Sequence, residues 1–405
     1  MKKVNEVKKR VISRSDINSF FDGLDISIFL NLSPFISIYL FENFVDINFS
    51  IILITSLIFL SYTVRFFSGF VFEYFDNFKH NIYKFFCIYL IVSYGLILLL
   101  PSSSLFLGFI FICLNRILVG YNNTVFFSPL LENNSRTMSQ FFNVKLWLFF
   151  LTGILIGLSF CKILNQIYSN AQLINGFWKV GIIPLMIFIL VKFLFDKNNR
   201  QLNDFLNSEN KIFKYDFGSN DLKDFFNSIS LLLPLIMFLL FITNSWLSSF
   251  VIPENKQLSE ISYVNIILTV LVFICSNFIF RLFKRFLPFN VVNISAILVF
   301  LTLFLVSNNV TSYSIDLLKF TISVFSGLSL AIFNLDAKIN SNSFNNSYTR
   351  TLNILFLILS LIMPIIIYYL LFNSIHYQNI YLILLVLYMI IICVHFLSNK
   401  LKKSH

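Results

Sequence analysis

Apolar residues follow one another along this chain in long runs that are separated by short polar connectors. A helix of about 20 apolar residues is long enough to cross the hydrocarbon core of a lipid bilayer. The pattern therefore predicts an all-α membrane protein with about twelve transmembrane helices. The predicted spans are 17–42, 48–73, 82–101, 104–131, 141–167, 174–195, 225–251, 261–281, 289–308, 314–335, 351–373 and 378–397.

The longest polar stretch, 196–224, lies near the middle of the chain and has six predicted spans on either side. A stretch of this length without an apolar pattern is too short to fold around a core of its own, so we expect a connecting loop. The predicted organisation is an N-terminal six-helix half over 1–195, the central loop over 196–224 and a C-terminal six-helix half over 225–405.

Lys and Arg residues are distributed unevenly between the two sides of the predicted spans. Of the 30, 24 fall on the side that holds both termini and the central loop, and four fall on the other side. Cytoplasmic connectors carry an excess of Lys and Arg, so we expect both termini and the central loop to be cytoplasmic. Phe, Ile, Asn and Lys, which AT-rich codons encode, are abundant, and this indicates a multi-pass protein of a bacterial inner membrane.

The composition supports a lipid environment and excludes an ordinary soluble domain. Hydrophobic residues make up 57% of the chain and charged residues 12%, with a mean hydropathy of +0.81. Soluble domains average about 45–50% apolar and about 25% charged residues. The net charge of +11 does not indicate nucleic-acid binding, because the positive charges follow the connectors.

The sequence contains no motif for catalysis, nucleotide binding or metal binding. Its five Cys residues lie at scattered positions in apolar runs, and its four His residues show no metal-ligand spacing. A GxxxxGK[ST] phosphate loop and the HExxH and GxSxG motifs are absent. We therefore expect neither an enzyme nor a cofactor.

Two pairs of segments recur at corresponding places in the two predicted halves. Gly69–Phe78 after span 2 and Asn277–Phe286 after span 8 share the spacing of their aromatic residues. Asn133–Thr137 after span 4 and Asn345–Thr351 after span 10 share Asn-Asn-Ser and Arg-Thr. Chance is the alternative in a chain rich in Phe and Asn, but recurrence of both pairs six spans apart favours two related halves.

Glycines and charges of the N-terminal half follow a further pattern. The stretches concerned are Asp22-Gly-Leu-Asp25-Ile26 in span 1, Arg65-Phe-Phe-Ser-Gly69 with Asp76 after span 2, Arg116-Ile-Leu-Val-Gly120 with Glu132 and Arg136 around span 4, and Gly176-Phe-Trp178-Lys179 at span 6. They resemble motifs of the major facilitator superfamily, in particular its metabolite:proton symporter branch of proline/betaine- and shikimate-type transporters. The chain departs from these motifs between Arg65 and Asp76, where it is one residue short, and between Arg116 and Glu132, which are closer together.

This resemblance implies a secondary active transporter in which two pseudo-symmetric halves rock to give alternating access. It implies proton-coupled uptake of a small polar metabolite, such as an amino acid or an osmolyte, by a monomer in the lipid bilayer. An uncoupled facilitator or exporter of the same fold is one alternative. A membrane-embedded transferase or flippase for lipid-linked substrates is an alternative from a different class.

Asp22 and Asp25 lie three residues apart in span 1 and therefore on one helical face. An ionised group at membrane depth is costly unless it faces a partner or a water-filled cavity. The functional interpretation is a site for a proton or a cationic substrate, with the deeper Asp25 as the better proton acceptor. The alternative is that both carboxylates are solvated at the cytoplasmic interface.

Arg116 lies within an apolar run of span 4 and needs an anion, because a guanidinium remains charged. Its expected partner is a substrate carboxylate or Asp25, with a purely structural ion pair as the alternative. Four further polar or amphipathic residues inside spans 4 and 7 are candidates for lining a pore, although Trp246 also fits an interfacial position. They are Tyr121, Asn122, Asn244 and Trp246.

Charged residues also gather at the cytoplasmic ends of the helices, where we expect a gate. Single surface pairs contribute only about 0–1 kcal/mol, but several that form in one state and break in the other can bias alternating access. The predicted gate residues are Arg65, Glu73, Asp76, Glu132, Arg136, Arg281, Lys284, Asp336 and Arg350. Signals for membrane topology are the alternative interpretation.

Overall fold

The computed structural model describes most of the N-terminal half of the chain and parts of the C-terminal half. The described residues are 14–41, 46–74, 79–101, 105–130, 139–197, 263–282 and 319–328, with single positions at 298, 317, 331, 357, 361, 364, 365 and 386. All secondary structure within these residues is helical. In lipid, a helix satisfies every backbone hydrogen bond within its own segment.

The helices agree closely with six of the predicted spans. Their bounds are α1 Arg14–Phe41, α2 Ile47–Tyr74, α3 Lys79–Leu98, α4 Leu105–Leu130, α5 Ser139–Ile167, α6 Asn170–Ile174, a 3-10 helix Phe177–Ile182, α7 Ile183–Lys197 and α8 Tyr263–Leu282. Helices α1 to α5 match the first five predicted spans within a few residues, and α8 matches the eighth.

Three helical segments among the described residues are long and apolar enough to cross a membrane. They are Asp16–Phe41, Trp147–Ile167 and Phe177–Leu194. Shorter apolar stretches occur in α2, α3, α4 and α8. Of the three long segments, Asp16–Phe41 is the most enclosed by other helices. Helix α1 therefore lies at the centre of the N-terminal helices.

The sixth predicted span, 174–195, differs in its detail from the structure. A capping box formed by Ser169 and Gln172 starts the separate short helix α6. The chain then turns at Gly176, whose φ of 113° is readily available only to glycine, before the 3-10 helix and α7 begin. Hydropathy does not reveal this turn because the residues around it are largely apolar.

Helices α1 and α5 approach each other backbone to backbone. A β-carbon at Gly23 would lie 2.0 Å from the carbonyl oxygen of Phe150, and one at Gly153 would lie 2.1 Å from that of Phe20. One at Gly157 would collide with the α1 hydroxyl of Ser27. Small residues four apart on facing helices permit such close packing in membranes. This contact fixes the rotation of α1 against α5.

Pro34 lies inside α1 and leaves the carbonyl of Leu30 without its usual backbone donor. The hydroxyl of Ser33 donates to that carbonyl over 2.8 Å. Membrane helices tolerate proline where a nearby hydroxyl satisfies the freed group in this way. Helix α1 therefore continues past Pro34 to its end at Phe41.

Helices α2 and α4 cross closely at Gly120. A β-carbon there would lie 2.4 Å from the carbonyl oxygen of Ser61 and 2.9 Å from Cβ of Val64. Only a hydrogen atom fits between the two helices at this point. The crossing holds α4, and the residues just before Gly120, against α2.

The same crossing recurs between α8 and the helical stretch 319–328. A β-carbon at Gly327 would lie 2.8 Å from the carbonyl oxygen of Thr269 and 2.9 Å from Cβ of Val272. Thr269 and Val272 follow the two contact residues of α2 by 208 residues, and Gly327 follows Gly120 by 207. The aromatic segments after spans 2 and 8 are also 208 residues apart. The internal repeat thus extends to the packing of helices.

Candidate functional site

Asp25 of α1 and Arg116 of α4 form a doubly hydrogen-bonded ion pair inside the helix bundle. Nη1 of Arg116 lies 2.6 Å from Oδ2 of Asp25, and Nη2 lies 3.1 Å from Oδ1. Asp25 is 4% exposed and Arg116 is 0% exposed. The ring of Phe29 covers the guanidinium, with its centroid 3.7 Å from Cζ. The geometry is the bidentate contact for which a planar guanidinium is suited.

Side chains of α3 and α4 make further hydrogen bonds to this pair. The hydroxyl of Tyr94 donates to Oδ1 of Asp25 over 2.7 Å. The side-chain oxygen of Asn115 accepts from Nε of Arg116 over 3.1 Å, and its amide nitrogen donates to the hydroxyl of Ser93 over 2.9 Å. Three hydrogen bonds therefore hold Asp25, two from Arg116 and one from Tyr94. A buried charge pair persists only with such additional hydrogen bonds.

A second ion pair lies three residues earlier on α1. Nη1 of Arg65 on α2 donates to Oδ2 of Asp22 over 3.0 Å, and both side chains are buried. Tyr62, one turn before Arg65, is buried and within electrostatic reach of both carboxylates and both guanidinium groups. The two ion pairs therefore belong to one polar cluster between α1, α2, α3 and α4.

A third ion pair lies nearer the start of α1. Nζ of Lys145 on α5 contacts Oδ2 of Asp16, which is fully buried. Nine residues separate Asp16 from Asp25, which is about 13 Å along a helix that rises 1.5 Å per residue. Carboxylates on α1 therefore extend from the beginning of the span toward the middle of a bilayer about 30 Å thick.

The two members of an arginine–aspartate pair differ in whether they can lose their charge. An arginine keeps its charge at any accessible pH, whereas a carboxylate can take up a proton. Protonation of an aspartate would leave its guanidinium partner in need of another anion. The arrangement can therefore exchange one anion for another at a fixed positive charge. It can also carry a proton on the carboxylate that is displaced.

The structure brings together the main residues that the sequence singled out. Asp25 was one of the two partners predicted for Arg116, and the two side chains form an ion pair. Asp22 and Asp25 are both buried rather than solvated at an interface. Asn122 is buried and accepts a 3.8 Å contact from the thiol of Cys87, while Tyr121 is half-buried. Asn244 and Trp246 lie outside the described residues.

The predicted gate is described only in part. Arg65 is buried in the pair with Asp22, so both partners belong to the N-terminal half. Glu73 and Arg281 lie in the last turns of α2 and α8. The remaining gate residues lie outside the described part of the chain: Asp76, Glu132, Arg136, Lys284, Asp336 and Arg350.

Several polar residues of the cluster escaped the sequence analysis. Tyr94 is one of 17 tyrosines, and nothing in the sequence around it distinguishes it from a lipid-facing ring. Asn115 precedes Arg116 directly, and a second polar residue beside a buried charge was a usable signal. Lys145 was counted only among the charges that set the topology, although it pairs with the buried Asp16.

Comparison with models of protein families finds no match, and comparison with curated proteins finds none either. Among solved structures, the chain is similar to the human organic anion transporter MFSD10 (TETRAN), with a TM-score of 0.57 and 13% sequence identity. The similarity covers 93% of this chain and 97% of that one. The chain has the major facilitator fold.

A similarity over nearly the whole of both chains confirms the predicted fold class of a helical membrane protein. The three ion pairs join α1 to α2, α4 and α5.

Proposed function

We propose that this chain is a secondary active transporter that couples uptake of a small polar metabolite to the entry of protons. The observation that carries the proposal is the buried pair of Asp25 and Arg116, with its three hydrogen bonds to the carboxylate. Ionised groups at membrane depth are rare and mark the paths of substrates, ions or protons. The metabolite:proton symporters that the sequence resembles are the branch we favour.

In the proposed cycle, a carboxylate of the substrate competes with Asp25 for Arg116. The guanidinium keeps its charge and changes its partner, while the displaced Asp25 takes up a proton. The proton and the substrate then move together when the two halves rock. An amino acid satisfies this chemistry, and the organic anions transported by the structural neighbour support a negatively charged group on the substrate.

The proposal includes a location and an orientation. The abundance of residues encoded by AT-rich codons supports a bacterial inner membrane, and the distribution of Lys and Arg supports both termini in the cytoplasm. The N-terminal end of α1, with Asp16, then faces the cytoplasm, and Asp25 lies deeper in the membrane. We propose that the monomer is the transporting unit, since each chain supplies both halves of the fold.

The decisive experiment uses purified protein in proteoliposomes, with and without an imposed pH gradient, screened over amino acids and osmolytes. Asp25→Asn keeps the shape of the side chain but cannot carry a proton. We expect it to lose gradient-driven accumulation and to retain counterflow exchange of the same substrate. Equal accumulation by wild type and variant would contradict the role of Asp25.

Asp22→Asn is the matched control, because Asp22 lies on the same face of α1 and also pairs with an arginine. If Asp22→Asn alone abolished accumulation, the proton would belong to Asp22. Counterflow shows in each case that the variant is folded and binds substrate. If accumulation by the wild type is the same with and without the pH gradient, the uncoupled facilitator is favoured instead.

A further inference from the structure

Asn115 lies directly before Arg116 on α4 and is completely buried. Its side-chain oxygen accepts hydrogen bonds from Nε and from Nη2 of Arg116. Nη1 and Nη2 of the same guanidinium bind the carboxylate of Asp25. A guanidinium presents its N–H groups as parallel pairs along two edges of a rigid plane. Asn115 therefore occupies one of these edges, and Asp25 occupies the other.

The orientation of the Asn115 amide follows from its neighbours on α3. The hydroxyl of Ser93 donates to the carbonyl of Leu90 over 2.8 Å, which uses its only proton. Ser93 can then only accept, and the amide nitrogen of Asn115 donates to it over 2.9 Å. The amide oxygen must therefore face Arg116. Helix α3 thus fixes a neutral side chain on one edge of the guanidinium.

Phe29 closes a further side of Arg116, because its ring covers one face of the guanidinium. Phe29, Asn115 and Asp25 are all buried. Together they cover one face and both edges of the guanidinium. Of the three, only Asp25 can lose its attraction for a cation, by taking up a proton. An incoming anion can therefore gain a bidentate contact only at the edge that Asp25 holds.

We propose that Asn115 is the positioning residue that makes substrate binding and the ionised state of Asp25 mutually exclusive. The inference rests on the proposed exchange of anions at Arg116. With one edge closed by Asn115, a carboxylate of the substrate makes a bidentate contact only by displacing Asp25, which then takes up a proton from the solvent. With that edge open, the carboxylate would bind beside Asp25, and no proton would be needed. The coupling of substrate to proton thus depends on a residue that carries neither charge nor proton.

The test measures binding of acetate, a carboxylate without other functional groups, to the purified full-length chain in detergent. Thermal unfolding is followed while sodium acetate replaces sodium chloride at constant ionic strength, at about pH 6 and about pH 7, where acetate is ionised. In the wild type, acetate binding is linked to the uptake of one proton, so the affinity is higher at the lower pH. We expect the half-saturating concentration to rise up to about tenfold between the two pH values, the limit for one proton.

Asn115→Ala opens the edge and should remove the link to the proton. The half-saturating acetate concentration of this variant should differ by less than about threefold between the two pH values, because Asp25 stays in place. At the higher pH it should lie below that of the wild type. Asn115→Ser frees the same edge and serves if the alanine variant fails to fold. A purely structural role for Asn115 would lower the unfolding midpoint and leave the pH dependence unchanged, which would overturn the proposal.

Other charged and titratable groups near Asp25 need their own controls. They are Asp22 on its own helix, Arg65 and Tyr62 of α2, Tyr94 of α3, Arg116 of α4, Lys145 of α5 against Asp16, and the buried Lys192 of α7, which acts electrostatically on Asp22. Asp25→Asn should abolish the pH dependence of acetate binding, whereas Asp22→Asn should keep it. If Asp22→Asn alone abolished it, the displaced carboxylate would be Asp22, and the proposal would be overturned.

Asn277→Ala is the matched control for Asn115→Ala. Asn277 is also buried, but it lies in α8 and donates to the carbonyl of Phe273 in its own helix over 2.7 Å. Its pH dependence should equal that of the wild type, and a loss there would show an unspecific effect and overturn the proposal. Salts excluded from the protein surface also raise the midpoint, but without saturation. Acetamide, which has the shape of acetate without its charge, should give no saturating rise.

The wild type separates failure of this inference from failure of the proposed function. A saturating rise that is absent, or independent of pH, would contradict the exchange at Arg116 and this inference with it. A pH dependence that Asn115→Ala shares with the wild type would overturn the role of Asn115 alone.

Discussion

The pair of Asp25 and Arg116 makes hydrogen bonds to Tyr94 and Asn115 in addition to the two within the pair. Taking two charges out of water costs several kcal/mol each, and a buried ion pair seldom stabilises a fold better than apolar residues would. Removal of one partner is nevertheless strongly destabilising, because the other is left buried and uncompensated. The conservative way to probe such a pair is a substitution that keeps the charge and changes only its geometry.

Arg116→Lys is that substitution. It replaces a planar fork that makes two hydrogen bonds with a single ammonium group. We expect the half-saturating substrate concentration in counterflow to rise roughly tenfold to a hundredfold, the equivalent of about 1.5–3 kcal/mol for one lost charge-assisted hydrogen bond. Tyr94→Phe, which removes one neutral donor from Asp25, should have a smaller effect in the same assay. An unchanged affinity in Arg116→Lys would mean that this pair is structural and never meets substrate.

The sequence predicted the acids of this site better than their surroundings. Two aspartates three residues apart in an apolar run were certain to share a face, and an enclosed arginine was certain to need an anion. The partner of Arg65 was not predictable, because a charge near the end of a span has the same pattern whether it turns inward or outward. Lys192 shows the same ambiguity, since it was counted only with the charges that set the orientation.

At the scale of helices, the contact between α1 and α5 fixes the direction in which Asp22 and Asp25 of α1 point. Gly23 faces α5, whereas Asp22 and Asp25 share another face of α1 and pair with arginines of α2 and α4. A rotation of α1 would move both carboxylates away from their arginines. The close approach is therefore a condition for both ion pairs as well as a packing feature.

Gly153→Ala tests this contact. The new methyl group would lie 2.1 Å from the carbonyl oxygen of Phe20, a backbone atom that cannot move without shifting α1. We expect a loss of about 1–3 kcal/mol in the free energy of unfolding, which is typical of overpacking, and a drop in transport. The measurement is thermal unfolding in detergent together with counterflow.

Gly95→Ala is its control, because a β-carbon at Gly95 of α3 meets nothing within 4 Å. Alanine favours a helix over glycine by about 1 kcal/mol, so this variant should be as stable as the wild type or slightly more so. Equal stability of both variants would show that α1 and α5 can separate without loss.

Hydropathy was sufficient to predict α1 to α5 and α8 but not how these helices pack. Runs of apolar residues fixed the bounds of α1 to α5 within a few residues, because the bilayer sets the length of a span. The glycines at 153 and 157 stand four residues apart, and this spacing is a known signal for close helix packing. It does not say which helix will be the partner, and only the fold pairs these glycines with α1.

At the scale of the whole molecule, the repeat and the fold support each other. The crossing of α2 and α4 at Gly120 recurs 207–208 residues later at Gly327, and α2 and α8 end at Tyr74 and Leu282, which are also 208 residues apart. One helix crossing among the described residues therefore repeats with the same spacing as the sequence segments. The charges do not follow the repeat, since the position 208 residues after Arg65 is held by Phe273.

The same spacing pairs Glu73 with Arg281, which lie at equivalent places near the ends of α2 and α8 and carry opposite charges. In a two-fold bundle the connector after span 2 approaches the start of span 11, whose predicted charge is Arg350. We expect an attraction between Glu73 and Arg350 to favour closure of the proposed cytoplasmic side. Surface pairs are individually weak, so the expected shift is modest, about 0–1 kcal/mol for each pair.

Glu73→Lys should then shift the population toward the inward-open state, and adding Arg350→Glu should restore it. The reporter is a single cysteine placed in turn at Ser68 and Ser276, which are buried and 208 residues apart, in a chain whose native cysteines are replaced. Its rate of labelling from the cytoplasmic side should rise severalfold in Glu73→Lys and return in the double variant. Lys162→Glu, a charge reversal at an exposed position of α5, should leave the rate unchanged. If Glu73→Lys has no effect on labelling, these charges set the topology, and the barrier on that side is formed by other residues.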